Sequence, residues 1–129
     1  MTLNYVQISS VLEALKELQE MKMSFKLSMI IAKNIDMLEK EEEFYIRQEQ
    51  EFAMKYLARD EETGEFIQKQ PGMFEIIPEL LEECQDARKA LDEFTAEVEL
   101  KMIPMSLIED FDFTPAQAKG LSLIINEEE

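Results

Sequence analysis

The side chains able to do acid–base or metal chemistry in this chain are almost all carboxylates, and they come in runs. Glu39, Glu42 and Glu43 lie within one helical turn, and so do Glu79, Glu82, Glu83 and Asp86. Two carboxylates catalyse only where a cleft drives their pKa values apart, whereas a run along a helix is ordinarily a solvated face. The sequence has no histidine, so the usual zinc constellations cannot be assembled, and a di-iron bundle lacks its Glu-x-x-His motif. Glycine occurs only at 64, 72 and 120, which leaves neither a phosphate-cradling loop nor a G-x-S-x-G elbow. Residues 60–65 (DEETGE) read as a turn and not as a calcium loop, because Gly64 falls fifth and not sixth, and Thr63 and Phe66 interrupt the ligand pattern. Cys84 is the one cysteine. It has no disulfide partner within the chain, fits a reducing compartment, and sits between Leu81 and Leu91 on a helical face where a thiol acts as a small buried hydrophobe. The reading is of no catalytic residue, no metal ligand, no cofactor and no enzyme.

What remains is binding to another macromolecule. Of 129 residues, 29 are acidic and 13 basic, a net charge of -16, which repels bare nucleic acid and anionic lipid. A protein partner is expected, either a second copy of the chain or a basic protein, with no direct nucleic acid and no membrane. Charge is uneven: residues 1–78 carry 9 basic and 15 acidic side chains, net -6, while residues 79–129 carry 4 and 14, net -10. Nine methionines suit adaptable packing surfaces, although core filling is their commoner use. The candidate partner-binding residues are Tyr45, Phe52 and Tyr56 on a long helix, the acids Glu79, Glu82, Glu83 and Asp86, and the pair Phe111 and Phe113 in a connection bracketed by prolines. The aromatic residues serve a core at least as readily as a partner.

The elements that must position these residues follow from periodicity. The composition, 46% hydrophobic and 33% charged, is that of a chain that folds, and 129 residues suffice for one domain with its own core. Ile8, Val11, Leu12, Leu15 and Leu18 recur at helical steps, predicting a helix over residues 5–21. Ser24 is a suitable N-cap for a second helix over residues 25–58, which meets no proline or glycine. Its apolar stripe passes through Leu27, Ile31, Ile35, Leu38, Tyr45, Phe52 and Tyr56 and thins at Glu41, Glu42 and Glu43. Such a helix is about 50 Å long, against a radius of gyration near 14 Å for a compact chain of this size. It must bend near the glutamates or project toward a partner, and an elongated shape is expected.

A turn at 60–65, a short strand at 65–68 and a loop at Gln70, Pro71 and Gly72 follow. A third helix is predicted over residues 78–95, antiparallel to the second, with Leu80, Leu81, Cys84, Leu91 and Phe94 inward. Val98, Leu100 and Met102 alternate with Glu97, Glu99 and Lys101, predicting a strand over 97–103 paired with 65–68 in a two-stranded patch. Ser106 with Glu109 reads as a capping box for a single turn, and Thr114 with Gln117 as a stronger one opening a last helix over residues 115–125. Residues 126–129 read as a frayed acidic tail, and no repeat or linker is evident. The fold class is mainly α, an elongated helical hairpin or small bundle with one long central helix and a minor β patch. No basic segment precedes an apolar run at the N-terminus, and the longest unbroken apolar run, residues 29–32, is too short for a bilayer.

The order of these features resembles a family. Ile31-Ala32-Lys33-Asn34-Ile35 with Leu38 and Glu39, the acidic turn ending at Gly64, the alternating segment 97–103, and residues 107–112 followed by Thr114-Pro115-Ala116 are similar to short acidic proteins of unknown function encoded by tailed phages and prophages of Gram-positive bacteria. The chain departs from that pattern at Gln68-Lys69-Gln70-Pro71 and in the extra acid of the third helix. The resemblance implies phage origin, placement in the host bacterial cytoplasm or the virion, and no catalytic residues. Two functions are compatible with it: a structural or assembly accessory that associates through its long helix, and an acidic nucleic-acid mimic that occupies a basic host defence or regulatory protein.

Overall fold

The computed structural model describes residues 1–126 and is mainly helical, with four α-helices, short 3-10 turns and small two-stranded sheets. Its contacts gather into two compact units: Met1–Glu43 together with the chain from Thr95 onward, and Phe44–Phe94. The predicted tail at Glu127, Glu128 and Glu129 lies outside the described residues, and Asn126 belongs to a strand.

In the first unit, helix α1 (Tyr5–Leu18) starts at a capping box that the sequence reading passed over. Asn4 Oδ1 accepts from the Gln7 amide at 2.8 Å and Gln7 Oε1 accepts from the Asn4 amide at 2.9 Å, so two amides that a helix start leaves orphaned find partners. Ile8, Val11, Leu12, Leu15 and Leu18 are all buried, as their spacing predicts. The helix ends at Leu18 and not at Met21, because the amides of Glu20 and Met21 bond three residues back, to Glu17 and Leu18, and tighten the last turn. Helix α2 (Phe25–Tyr56) is 32 residues long. It is capped by Ser24 Oγ, which accepts from the Leu27 amide at 3.2 Å. It stays helical through Glu41, Glu42 and Glu43, residues of high helix propensity with no breaker among them. Leu27, Ile31, Ile35 and Leu38 of its stripe are buried in this unit.

Two strand pairs complete the first unit. Strand β1 (Thr2–Asn4) runs antiparallel to β4 (Thr95–Glu97), with Leu3 opposite Ala96 and both buried. Strand β5 (Ile103–Pro104) runs parallel to β6 (Ile125–Asn126). The predicted strand over 97–103 is therefore wrong in extent and partner. Only Glu97 and Ile103 of that stretch are in strands, and neither pairs with 65–68. The cause is Asn34, buried in α2, whose side-chain amide accepts from Lys101 N–H at 2.8 Å and donates to Lys101 C=O at 2.9 Å. Those two backbone groups are the ones a neighbouring strand would have used. Val98 is buried as alternation requires, but Met102 is exposed.

Helix α4 (Pro115–Leu121) begins at the predicted capping box, with Thr114 Oγ1 accepting from Gln117 N–H at 3.1 Å and Gln117 Oε1 from Thr114 N–H at 2.9 Å. It stops at Leu121 and passes into a 3-10 turn (Ser122–Ile124), short of the expected end at 125. The box expected at Ser106 is absent: a 3-10 turn (Met105–Leu107) starts one residue earlier with Pro104 at its cap, so Ser106 lies inside the turn and caps nothing. Gly120 explains how closely α4 lies on α1, since a Cβ there would stand 3.0 Å from Ser10 O and 3.1 Å from Ala14 Cβ.

The second unit carries the rest of α2, strands β2 (Gln68–Gln70) and β3 (Met73–Phe74), a 3-10 turn (Pro78–Leu80) and helix α3 (Leu81–Asp92). The acidic turn is closed by Asp60 Oδ1, which accepts from the amides of Glu62 (2.8 Å) and Thr63 (3.2 Å), and Gly64 supplies the positive φ of 75° the reversal needs. Residues 65–68 pair locally, Phe66 with Arg59 and Gln68 with Phe74. The predicted third helix shortens at both ends. Its first turn, from Pro78, is 3-10, and bonds from Glu93 to Lys89 and Phe94 to Leu91 close it at Asp92. Cys84 is buried as expected, but Leu81, expected inward, is 45% exposed.

Candidate functional site

In the second unit, α2 and α3 bring charged and aromatic side chains together. Phe44 and Tyr45 meet Phe94, Glu49 meets Arg88, and Lys55 meets Glu83. Residue numbers fall along α3 as they rise along α2, so the two run in opposite senses there. The centre is Arg88. Its guanidinium grips Glu49 with both prongs, Nη2 to Oε1 at 2.7 Å and Nη1 to Oε2 at 3.0 Å, while Nε donates to Asp92 Oδ1 at 3.0 Å. Tyr45 OH donates to Glu49 Oε1 at 2.6 Å, and the guanidinium carbon lies 5.2 Å from the Phe52 ring centre, within cation–π range.

These contacts set the protonation states. The guanidinium holds the Glu49 carboxyl below the usual carboxylate range, with the Tyr45 hydroxyl adding to the effect against partial burial. Burial pushes the Tyr45 phenol up, reinforced by its bond to Glu49. Burial also raises the Cys84 thiol, with Arg88 opposing, which keeps it in the thiol form. Beside the network is a cavity of about 650 Å³, lined among others by Glu49, Phe52, Leu57, Ile76, Cys84 and Arg88. Its carboxylate and guanidinium are occupied by each other. Among the described residues no group of three or more histidine, cysteine or carboxylate side chains is placed to hold a metal, and no helix is long and apolar enough to cross a membrane.

The sequence-predicted partner residues separate into four kinds of place. Tyr45 and Phe52 are half-buried in the second unit, and the Phe52 ring meets that of Tyr56 at a tilt of 54°, 5.0 Å between ring centres. Tyr56 is buried, 5% exposed, and is a core residue, not a surface anchor; its ring meets Phe52, and Lys55 Nζ lies 5.2 Å from its centre. Glu79, Glu82, Glu83 and Asp86 are exposed, but Glu83 is within 3.5 Å of Lys55 Nζ. Phe111 and Phe113 lie in the first unit, rings 6.5 Å apart and both half-buried against a cavity of about 490 Å³ that Ile108 and Leu121 also line.

Arg88, Glu49 and Asn34 were not singled out from sequence. Arg88–Asp92 and Tyr45–Glu49 each have the four-residue helical spacing that would have marked them. Asn34, the one polar side chain fully buried among the described residues, carried the signal of an amide inside an apolar stripe. No family model, no curated protein and no solved structure matches the chain.

Proposed function

We propose that this chain is a non-catalytic protein-binding module, a phage structural or assembly accessory that associates with copies of itself or with a virion component through surfaces on its long helix. The observation that carries this reading is the apolar surface left in solvent on a highly charged chain. Phe25 is 80% exposed and Met29 41% on the first part of α2, with Met54 at 53% on its last part. Large apolar side chains grouped in water mark association surfaces. The groups that could have served chemistry support it too: Glu49 is held ionised by Arg88 and Cys84 is buried and protonated. The buried stripe of α2 is not the associating face, since Leu27, Ile31, Ile35, Leu38 and Tyr56 pack within the chain's own units.

The second reading, an acidic nucleic-acid mimic, draws on Glu79, Glu82, Glu83 and Asp86, all exposed. A mimic needs an unbroken anionic face, and here Lys55 pairs with Glu83 while Arg88 and Lys89 follow within a turn, so the accessory reading is preferred. A tagged copy incubated with untagged chain in host lysate separates them. Recovery of the untagged chain supports the accessory. Recovery instead of a basic host protein, lost when the four acids are replaced by glutamine and when salt rises, would replace it with the mimic.

A further inference from the structure

The first unit carries a cationic and apolar surface that is out of character for a chain of net charge -16. Lys26 and Lys33 are seven residues apart on α2, two turns and about 10 Å along one face, and with Lys101 they line a surface cavity of about 650 Å³ that no carboxylate lines. Among the described residues none of the three lysines makes an ion pair. Phe25, Met29 and Met102, exposed by 80%, 41% and 42%, line the same cavity. The surface is held in place: the two hydrogen bonds between the Asn34 side chain and the Lys101 backbone fix that segment against α2, so Lys101 and Met102 are placed beside Lys33.

We propose that this surface docks the acidic face of a second copy of the chain, formed by Glu79, Glu82 and Asp86. The inference rests on the self-associating reading above and names its interface. Charge complementarity selects this occupant. Glu79, Glu82 and Asp86 are exposed and make no ion pair among the described residues, which offers three anions to the three cations of the cavity. Elsewhere the chain's negative charge opposes the approach of its own kind. The two surfaces differ, so the contact is head-to-tail, and repeated it closes a ring or extends a filament, as a structural or assembly protein requires.

Two charge-reversed variants test this by sedimentation equilibrium at low salt: Lys26→Glu with Lys33→Glu and Lys101→Glu, and Glu79→Lys with Glu82→Lys and Asp86→Lys. Each alone should sediment as one chain with wild-type circular dichroism, and an equimolar mixture should recover the assembly, because each then meets a complementary face. Phe25→Ser, at a side chain in solvent, should weaken assembly about tenfold without touching the core. Wild-type assembly undiminished in both variants would place the interface elsewhere while leaving the self-associating reading intact. A wild type that is one chain at every concentration would overturn both. Two variants that fail to complement, or phosphatidylserine vesicles captured by wild type and not by the lysine variant, would overturn the second-copy occupant.

Discussion

Asn34 directs both ends of its amide at the backbone of Lys101, 67 residues away, and so decides that the following segment lies on α2 as an irregular connection. Asn34→Ala removes both partners of the Lys101 N–H and C=O and should cost about 2 kcal/mol in urea denaturation, whereas Lys33→Ala beside it should change little. Glu49 makes a second prediction, in pH. Its carboxyl titrates below the ordinary value of 4.5 when folded, so the unfolded chain binds more protons over that window. The Arg88 pair contributes its stability above that value and loses it as pH falls through the depressed folded value. Both partners are about one-third exposed, so the contribution is about 1 kcal/mol. Glu49→Gln should flatten that part of the stability–pH curve, and an unchanged slope would mean the pair is not maintained in solution. Half of this network was legible: Tyr45–Glu49 and Arg88–Asp92 are helical neighbours by spacing. That the two pairs meet depends on the turns between positions 56 and 81, which no periodicity encodes.

At the scale of elements, the helices were readable because burial repeats along them. Ile8, Val11, Leu12, Leu15 and Leu18 were assigned to the core by spacing alone and are all buried. Cap chemistry was equally local, and it yields a prediction. Thr114→Ala removes the acceptor for Gln117 N–H and should lower stability by about 1 kcal/mol, while Ser106→Ala, at a hydroxyl that caps nothing, should be neutral; equal effects in denaturant titration would contradict the assignment. The strands were not readable, because each is two or three residues long and its partner is remote: Leu3 meets Ala96, and Ile103 meets Ile125. Alternation at Val98, Leu100 and Met102 mimicked a strand, but the Asn34 contact occupies the Lys101 groups that a ladder needs. The expected pairing with 65–68 failed for a related reason, since Phe66 and Gln68 find partners within their own unit.

For the molecule as a whole, composition and charge carry the functional argument. A net charge of -16 disfavours nucleic acid and anionic lipid as partners, and the exposed Phe25 and Met54 give a protein partner something apolar to cover. The long helix was expected to bend near its glutamates or to project toward a partner, and its stripe from Leu27 to Leu38 is buried within the first unit. The exposed apolar residues are others, interspersed with lysines where sequence periodicity sees only a polar face. Association that joins lysines to carboxylates weakens as salt shortens the reach of charge to about 8 Å at physiological strength. Static light scattering on the wild-type chain across micromolar concentrations and several salt concentrations tests the central claim most directly. The account predicts a mass above that of one chain, rising with concentration and falling with salt; a mass of one chain under every condition would contradict it.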